Sequence, residues 1–352
     1  MKSVSKYAWL LALCASVPLF AQQSEPPAQP LSGSHQITLD VVVASKHGQP
    51  VSGLQKQDFT LIDNKHPQTI TSFVAHNVSA SASDPDNRAV IVLDTVNTDF
   101  QMLSSQRQQL EKFFTQNNGH LPVPVNLVIF SSTGLQVQQE ASTDGKVELD
   151  FLNKNPISLH QDNRAQGSAG AFDRINRSLA VLQSLAMGDL KLSGSKLLIW
   201  ISPGWPIPQE SALGLSGKEK AEVYNQIVAI TGLLLMSRTR LYDVDPSGTM
   251  DAGSYRIGRY QYYLNEIKSP TQPQIGNLAL QVFAIHSGGQ VFMGSNDLSG
   301  GLNKCLSDAT NFYTISFDPG RADHPNEYHH VEIKVDKPGI KARTRDSYYL
   351  QP

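Results

Sequence analysis

A short run of oxygen-bearing side chains directly follows an apolar segment in the first third of the chain. The segment AVIVLD (89–94) ends on Asp94, and the next five residues are TVNTD. Carboxylate, hydroxyl and amide oxygens are the ligands that Mg²⁺ and Ca²⁺ prefer, and Mg²⁺ requires about six of them in near-octahedral geometry. The stretch is therefore a candidate metal-binding loop.

A second run of oxygens lies in DVDPSGTMD (243–251), which resembles the start of a calcium loop with Gly248 at the sharp-turn position. Pro246 lies inside this loop, and Ser254 stands where a calcium loop carries its bidentate glutamate. An ordinary strand-to-loop turn is the favoured interpretation, and a calcium site is the alternative.

Five potential zinc ligands lie within RADHPNEYHH (321–330). Successive side chains on a strand point to opposite faces, so His329 and His330 cannot readily share one metal ion. We expect a solvated turn that leads into an edge strand, with zinc binding as the alternative.

The sequence contains no recognisable catalytic motif. A G-x-S-x-G elbow, H-E-x-x-H, a Walker loop and a G-x-G-x-x-G after a strand are all absent. Cys305 lies in an amphipathic helical stretch, where a buried structural thiol is commoner than a reactive one. We therefore predict that the protein is not an enzyme. The alternative is a hydrolase whose site is assembled from distant residues, such as Asp94, Ser131 and Ser202.

Short apolar runs alternate with stretches of helical periodicity through the middle of the chain. Apolar runs of this kind predict strands that are buried on both faces, and the intervening helices predict crossover connections. Together they predict a doubly wound α/β domain with a mostly parallel sheet. The predicted strands are 89–94, 123–131, 196–202, 238–245 and 288–294, and the predicted helical stretches are 104–117, 168–187, 217–236 and 275–288.

Segments that are rich in β-forming residues and contain residues typical of turns flank the predicted α/β domain (89–310) on both sides. Residues 35–77 contain β-branched runs separated by KHGQP and DNKHP, which predict a small antiparallel β unit. A polar linker (78–88) follows it. Residues 311–352 predict a second β unit, a hairpin or three strands, packed against the sheet or against the first unit.

The amino terminus has the pattern of a secretory signal peptide. Lys2 and Lys6 precede a short apolar run that ends near Ala21, and a run of about 12 residues is too short to span a bilayer. We predict cleavage after residues 1–21 and a flexible leader over 22–34, with a retained anchor as the alternative. With no later transmembrane segment predicted, the mature protein is expected to be extracytoplasmic, either periplasmic or secreted.

The composition is that of a globular protein with a sizeable core, since 40% of 352 residues are hydrophobic and 17% are charged. Without residues 1–21 the chain has 27 basic and 31 acidic side chains, a net charge of −4. This balance gives no indication of nucleic-acid binding. Cys305 would be the only remaining cysteine, so an intrachain disulfide is excluded.

The order of these elements resembles a von Willebrand factor type A domain, in which a strand ends on an aspartate and a later strand is followed by a loop, here LLIWISPG (197–204). The flanking segments 40–73 and 312–349 are similar to the VWFA-related family of predicted secreted proteins found in Acidobacteria. The resemblance covers roughly residues 36–350. It implies a Rossmann-like α/β fold and a protein-binding function.

Metal-binding type A domains have the pattern D-x-S-x-S after the first strand, a threonine in a later loop and an aspartate at another strand end. The resemblance aligns Asp94 and Thr98 with the first pattern, but Val96 replaces the middle serine. Ser168 stands in for the threonine, and Pro203 occupies the position of the second aspartate. We therefore predict a degenerate site that binds no metal and no other cofactor. The alternative is a weakened Mg²⁺ or Ca²⁺ site that uses Asp94, Thr98, Ser168 and either Asn97 or Asp99.

Ligands of open α/β sheets bind at the carboxyl ends of the strands, and we name this edge of the predicted sheet the carboxyl rim. Trp205, on the proline-stiffened loop PGWPIP, is predicted there either as an exposed interface anchor or as a ring packed on the domain itself. We predict a non-enzymatic module that binds a protein partner through the rim. The alternatives to this function are the hydrolase noted above and a structural subunit of the cell envelope. The predicted rim residues are Asp94, Asn97, Thr98, Asp99, Ser168, Ser202 and Trp205.

Overall fold

The computed structural model describes residues 36–76, 87–155, 167–207, 214–248 and 259–352. The described strands are β1 (Ile37–Ser45), β2 (Phe59–Asp63), β3 (His66–Gln68), β4 (Ser72–His76), β5 (Arg88–Asp94), β6 (His120–Ser131), β7 (Gly134–Val137), β8 (Ser142–Asp144), β9 (Lys196–Ile201), β10 (Thr239–Val244), β11 (Val291–Phe292), β12 (Phe312–Phe317), β13 (Glu327–Val335), β14 (Ile340–Arg343) and β15 (Ser347–Leu350). The described α-helices are α1 (Phe100–Thr115), α2 (Gly145–Lys154), α3 (Gly167–Asp189), α4 (Gly217–Met236), α5 (Leu280–His286) and α6 (Leu298–Thr310).

The central sheet contains seven strands in the order β11-β10-β9-β5-β6-β7, with β8 also paired to β6. The strands from β11 to β6 are parallel, whereas β7 and β8 run antiparallel to β6. This arrangement confirms the predicted doubly wound α/β fold. The predicted strand at 288–294 is reduced to two residues, because Gly288 and Gly294 adopt the left-handed backbone that ends extended structure on either side.

Helices cover both faces of this sheet, which explains why its strands are continuously apolar. Val90 and Val92 of β5 pack on the side of α3, α4 and α5. Ala89, Ile91 and Leu93 pack on the side of α1, α2 and α6. Alternate residues of a strand therefore enter separate hydrophobic cores, as the two-residue period of a strand requires.

The β segments from the two ends of the chain combine into two antiparallel four-stranded sheets, with the orders β14-β1-β12-β4 and β15-β13-β2-β3. Strand β1 lies between two strands from the far end of the chain. The strands of the two predicted β units therefore alternate within shared sheets, and the sequence could not show this because periodicity indicates which face of a strand is buried but not which strand it pairs with. One hydrophobic core fills the space between the two sheets, and Leu235 of α4 belongs to it.

No helix in the described parts of the chain has the length and apolar character needed to cross a membrane. The predicted signal peptide (1–21), the leader (22–34) and most of the linker (78–88) lie outside the described residues.

Candidate functional site

The carboxylate of Asp94, at the carboxyl end of β5, is completely buried and accepts four hydrogen bonds from N–H groups. Oδ1 accepts from the backbone amides of Val96 and Asn97 at 3.0 and 2.9 Å. Oδ2 accepts from Asn97 Nδ2 and from Trp200 Nε1, both at 2.8 Å. Burial raises the pKa of Asp94, and these hydrogen bonds oppose the rise.

The indole of Trp200 reaches Asp94 because of the register of the parallel sheet. Trp200 on β9 lies beside Val92 on β5, and Val92 and Asp94 point to the same face. Sequence reasoning missed this contact. The only signal in the sequence was a tryptophan in a strand that is otherwise mostly aliphatic, because the N–H of a buried tryptophan requires an acceptor.

Both carboxylate oxygens of Asp94, the first candidate metal ligand, accept hydrogen bonds from N–H groups, among them those of Trp200 and Asn97. Pro203 offers no side-chain oxygen, and the side chain of Ser168, in the first turn of α3, lies outside the described part. Across the described ranges, no three His, Cys, Asp or Glu side chains come together as a metal site.

Most of the predicted rim residues form the floor of the carboxyl rim rather than its surface. Asp94, Thr98 and Ser202 have 0% exposure, and Trp205 has 3%. Of the predicted rim residues whose side chains are described, Asp99 alone is exposed and Asn97 is half-buried. The others are buried because a residue that directly follows a buried strand is still covered by the loop it begins.

Trp205 packs on the domain itself rather than standing out as an anchor. Its ring meets Trp200 edge-on, with centroids 5.4 Å apart and planes at 76°. The preceding Gly204 has φ +95°, and a Cβ there would lie 2.2 Å from Gln281 Nε2. The loop after β9 therefore requires glycine at 204 to seat the tryptophan.

A cleft of about 370 Å³ opens on the carboxyl rim above these buried groups. We name it the rim cleft. One wall is formed by Asp99 and Met102 at the start of α1 and by Arg174 of α3. The 3-10 turn Arg259–Tyr263 contributes Arg259 and Tyr260 to the lining, and the loop after β9 contributes Pro203 to Ile207. Sequence reasoning missed Arg174 and Arg259, since neither lies near a strand end.

The predicted calcium loop begins with a buried carboxylate that is already engaged. Asp243 Oδ2 accepts from Gln281 Nε2 at 2.8 Å. Asp245 Oδ1 accepts from the backbone amide of Ser247 at 2.8 Å, which is the short turn expected in the favoured interpretation. Asp251 and Ser254 lie outside the described residues.

The histidines of the predicted zinc cluster lie on opposite faces of β13. His329 is buried, with Nδ1 3.0 Å from Asp63 Oδ2, and Tyr348 donates to the same oxygen at 2.9 Å. His330 lies 3.4 Å from Glu266. The Asp63–His329–Tyr348 cluster joins β2, β13 and β15 inside the sandwich, and sequence reasoning did not identify it.

The groups considered for catalysis have structural partners. Ser202 Oγ accepts from the amide of Gly204 at 3.1 Å. Ser131 Oγ lies 2.9 Å from Thr133 Oγ1. Cys305 is fully buried in α6, and burial raises the pKa of its thiol. A buried, protonated thiol is a poor nucleophile.

No family model matches the sequence, and no curated protein is significantly similar to it. Among solved structures, the chain is similar to the VWA domain of SpRpn10, with a TM-score of 0.27 and 14% sequence identity. That alignment covers 55% of this chain and 93% of the other. The α/β fold described above is therefore assigned from the strand order and helix placement of the chain itself, and not from this similarity.

Proposed function

We propose that this chain is a secreted, non-enzymatic protein-binding module that contacts its partner through the carboxyl rim without a divalent metal. The rim cleft carries the proposal. Its walls combine arginine, tyrosine, tryptophan and methionine, which are enriched where proteins bind one another. Beside the cleft, Tyr262 is 83% exposed, although tyrosine normally buries much of its ring.

The metal-free part of the proposal is supported by the four N–H groups around Asp94, which occupy the positions a cation would need. The extracytoplasmic location is supported by the amino-terminal sequence pattern, and the degenerate site by the resemblance to the VWFA-related secreted family. The non-enzymatic part is supported by the structural partners of Ser131 and Ser202.

Site-specific photo-crosslinking tests the proposal. A photoreactive phenylalanine analogue is placed at Tyr262, on the rim, or at Met187, which is 47% exposed near the far end of α3. Thirteen residues of helix, about 20 Å, separate Met187 from Arg174 in the rim cleft. Each variant of the full chain is exposed to envelope and culture-medium fractions of the source organism, with Mg²⁺ or with EDTA.

We expect a discrete adduct from position 262, equally strong in both buffers, and none from position 187. An adduct that needs Mg²⁺ contradicts the metal-free mode. Adducts from position 187 alone place the interface elsewhere. Turnover of ester, peptide or glycoside substrates that is lost on Ser202→Ala would favour the hydrolase alternative instead.

A further inference from the structure

A second, smaller cavity lies where the sandwich meets the central sheet, at the edge where the parallel strands begin. Its volume is about 20 Å³. Five segments line it: β1, the end of α4, the start of β10, the residue after α5, and the segment between β14 and β15. We name it the junction cavity. Its charged lining residues are Asp40, Arg238, Arg240 and Arg345.

The lining of the junction cavity carries more positive than negative charge. Three guanidinium groups share one carboxylate, which leaves a net charge of +2. Asp40 Oδ1 accepts from Arg238 Nη2 at 2.6 Å. Burial raises the pKa of Asp40, but the charges of Arg238 and Arg240 bring it below its usual value. Burial lowers the pKa of Arg345 to about 10, and Asp346 and Asp40 oppose this only in part.

The other carboxylates next to these arginines have partners outside the junction cavity. Asp346 Oδ2 lies 2.8 Å from His286 Nδ1. The carboxylate of Asp308 pairs with Arg343, and Asp308 offers Arg240 its backbone carbonyl, at 2.9 Å. The surplus positive charge of the lining is therefore not matched by an ion pair for each guanidinium group.

The unpaired buried atoms of the lining are all hydrogen-bond donors. Arg240 is 3% exposed, and its Nη2 donates to Ser195 Oγ and to the carbonyl of Asp308. Its Nε and Nη1, and Nε of Arg238, are buried without a partner among the described residues. The hydroxyl groups of the lining are already engaged; they belong to Thr38, Thr239, Ser287 and Thr344. Buried N–H groups require an acceptor, and the lining does not supply one for each.

A monatomic anion suits these groups better than water or an oxyanion. A volume of about 20 Å³ holds one particle of about the size of a water molecule, so phosphate and sulfate are too large. A water molecule that accepts from a guanidinium group must direct its own hydrogens to acceptors, and the oxygens of this lining already have partners. Chloride accepts from several donors at once and donates to none. Its negative charge also compensates arginines that have been taken out of water.

We propose that the junction cavity binds a chloride ion among Arg238, Arg240 and Arg345. The ion joins β10 and the end of α4 to β1 and to the segment before β15, so it holds the sandwich on the α/β part of the molecule. This site is separate from the rim cleft and does not depend on the proposed function.

Crystals of the full mature chain, grown with sodium bromide in place of sodium chloride, test the position of the ion. Bromide replaces chloride at halide sites and is located by its anomalous scattering. We expect an anomalous peak in the junction cavity, within hydrogen-bond distance of Arg240 Nε or Nη1. This measurement uses the unaltered protein, so it holds even where a variant fails to fold.

Thermal unfolding of the same chain tests the effect of the ion on stability. Chloride is raised from 1 to 300 mM while sodium gluconate, whose anion exceeds the cavity, keeps the ionic strength constant, so that screening of surface charges does not change. A ligand that binds only the folded state raises the melting temperature, here by about 3 °C. Arg240→Gln and Arg345→Gln should each lose this rise. Arg321→Gln, at an exposed position that does not line the cavity, is the matched control and should keep it.

Electron density in the junction cavity without an anomalous peak would identify water as its occupant and overturn the inference. A melting temperature that does not respond to chloride would also overturn it, as would an equal response in Arg240→Gln, Arg345→Gln and the control. Each of these results leaves the crosslinking expected from position 262 unchanged, so the failure of this inference is distinguishable from failure of the proposed function.

Discussion

Trp200 and Asn97 give Asp94 the surroundings of a hydrogen-bonded structural carboxylate. An ionised group that is taken out of water requires compensating partners, and here the partners are four N–H groups. The same bonds fix the first turn of the loop after β5 and attach it to β9. The hydrogen-bonding capacity of the Asp94 carboxylate is therefore used inside the fold.

Asp94→Asn should destabilise the protein by about 2 kcal/mol, because the new NH₂ group would face N–H donors and leave a buried donor unpaired. Urea unfolding measures this loss. The melting temperature of the wild type should be the same in Mg²⁺ and in EDTA, since a ligand that binds only the folded state would raise it. Asp150→Asn, at an exposed position of α2, is the matched control. A Mg²⁺-dependent rise that Asp94→Asn abolishes would contradict the metal-free site.

Glu148 of α2 should make stability depend on pH. Its side chain is fully buried with Gln138 Nε2 3.0 Å from Oε1, and burial raises its pKa from 4.5 to about 7. The folded state holds this proton more tightly than the unfolded state does. Stability from Glu148 is thus fully present below pH 4.5 and is lost as pH rises through about 7, by up to roughly 3 kcal/mol.

Urea unfolding of the wild type and of Glu148→Gln between pH 5 and 8 measures this dependence. The difference between the free energies of unfolding of the two proteins should change by about that amount between pH 5 and 8, because the amide of the variant does not titrate. Glu140→Gln, in an exposed loop, is the control and should run parallel to the wild type. Parallel curves for Glu148→Gln would contradict the assignment.

The 3-10 turn Arg259–Tyr263 is the element that presents one wall of the rim cleft, and a second short turn holds it in place. Asn277 Nδ2 donates to the backbone carbonyl of Tyr263 at 2.8 Å. The ring of Tyr263 lies against Gly276, where a Cβ would come within 2.3 Å of it. The position of the cleft wall therefore depends on the absence of a side chain at Gly276.

Gly276→Ala should displace Tyr263 and the turn that carries Arg259. Overpacking of this kind costs about 1 to 3 kcal/mol, which urea unfolding measures. Gly232→Ala is the matched control: no atom lies near its Cβ, and alanine is the better helix former inside α4. Unchanged stability in Gly276→Ala would show that the turn is positioned by other contacts.

The molecule joins its α/β part to a sandwich built from both ends of the chain. Asp40 of β1 lies 2.6 Å from Arg238, in the turn that leads from α4 into β10. Burial acts against ionisation of Asp40, but the charges of Arg238 and Arg240 hold its pKa below the usual value. This ion pair and Leu235 connect the sandwich to the edge of the central sheet at which its parallel strands begin. The rim cleft lies at the opposite edge, where those strands end.

A fragment of residues 36–310 should fail to fold into a soluble protein. It retains β1 to β4 but lacks β12 to β15, so β1 would lose both neighbours and β2 would lose β13. Unpaired edges and exposed core side chains promote aggregation. Far-UV circular dichroism and size-exclusion chromatography measure the outcome.

The comparison fragment, residues 87–310, lacks the strands from both ends and should keep its helical spectrum, because the two cores on the central sheet lie almost entirely within it. If residues 36–310 were soluble and rich in strand, the four amino-terminal strands would form a unit of their own and the shared sandwich would not be required.

The sequence by itself determined the α/β class, the parallel strands and the place of Asp94 at a strand end, because apolar periodicity and turn residues act over a few neighbouring positions. Only the tertiary structure decided that Trp200, 106 residues away, satisfies Asp94, and that β1 pairs with β12 and β14. It also decided that Arg174 and Arg259 line one cleft. Such contacts depend on how distant segments pack together, and local patterns of residue type do not specify the partner of a strand or of a buried polar group.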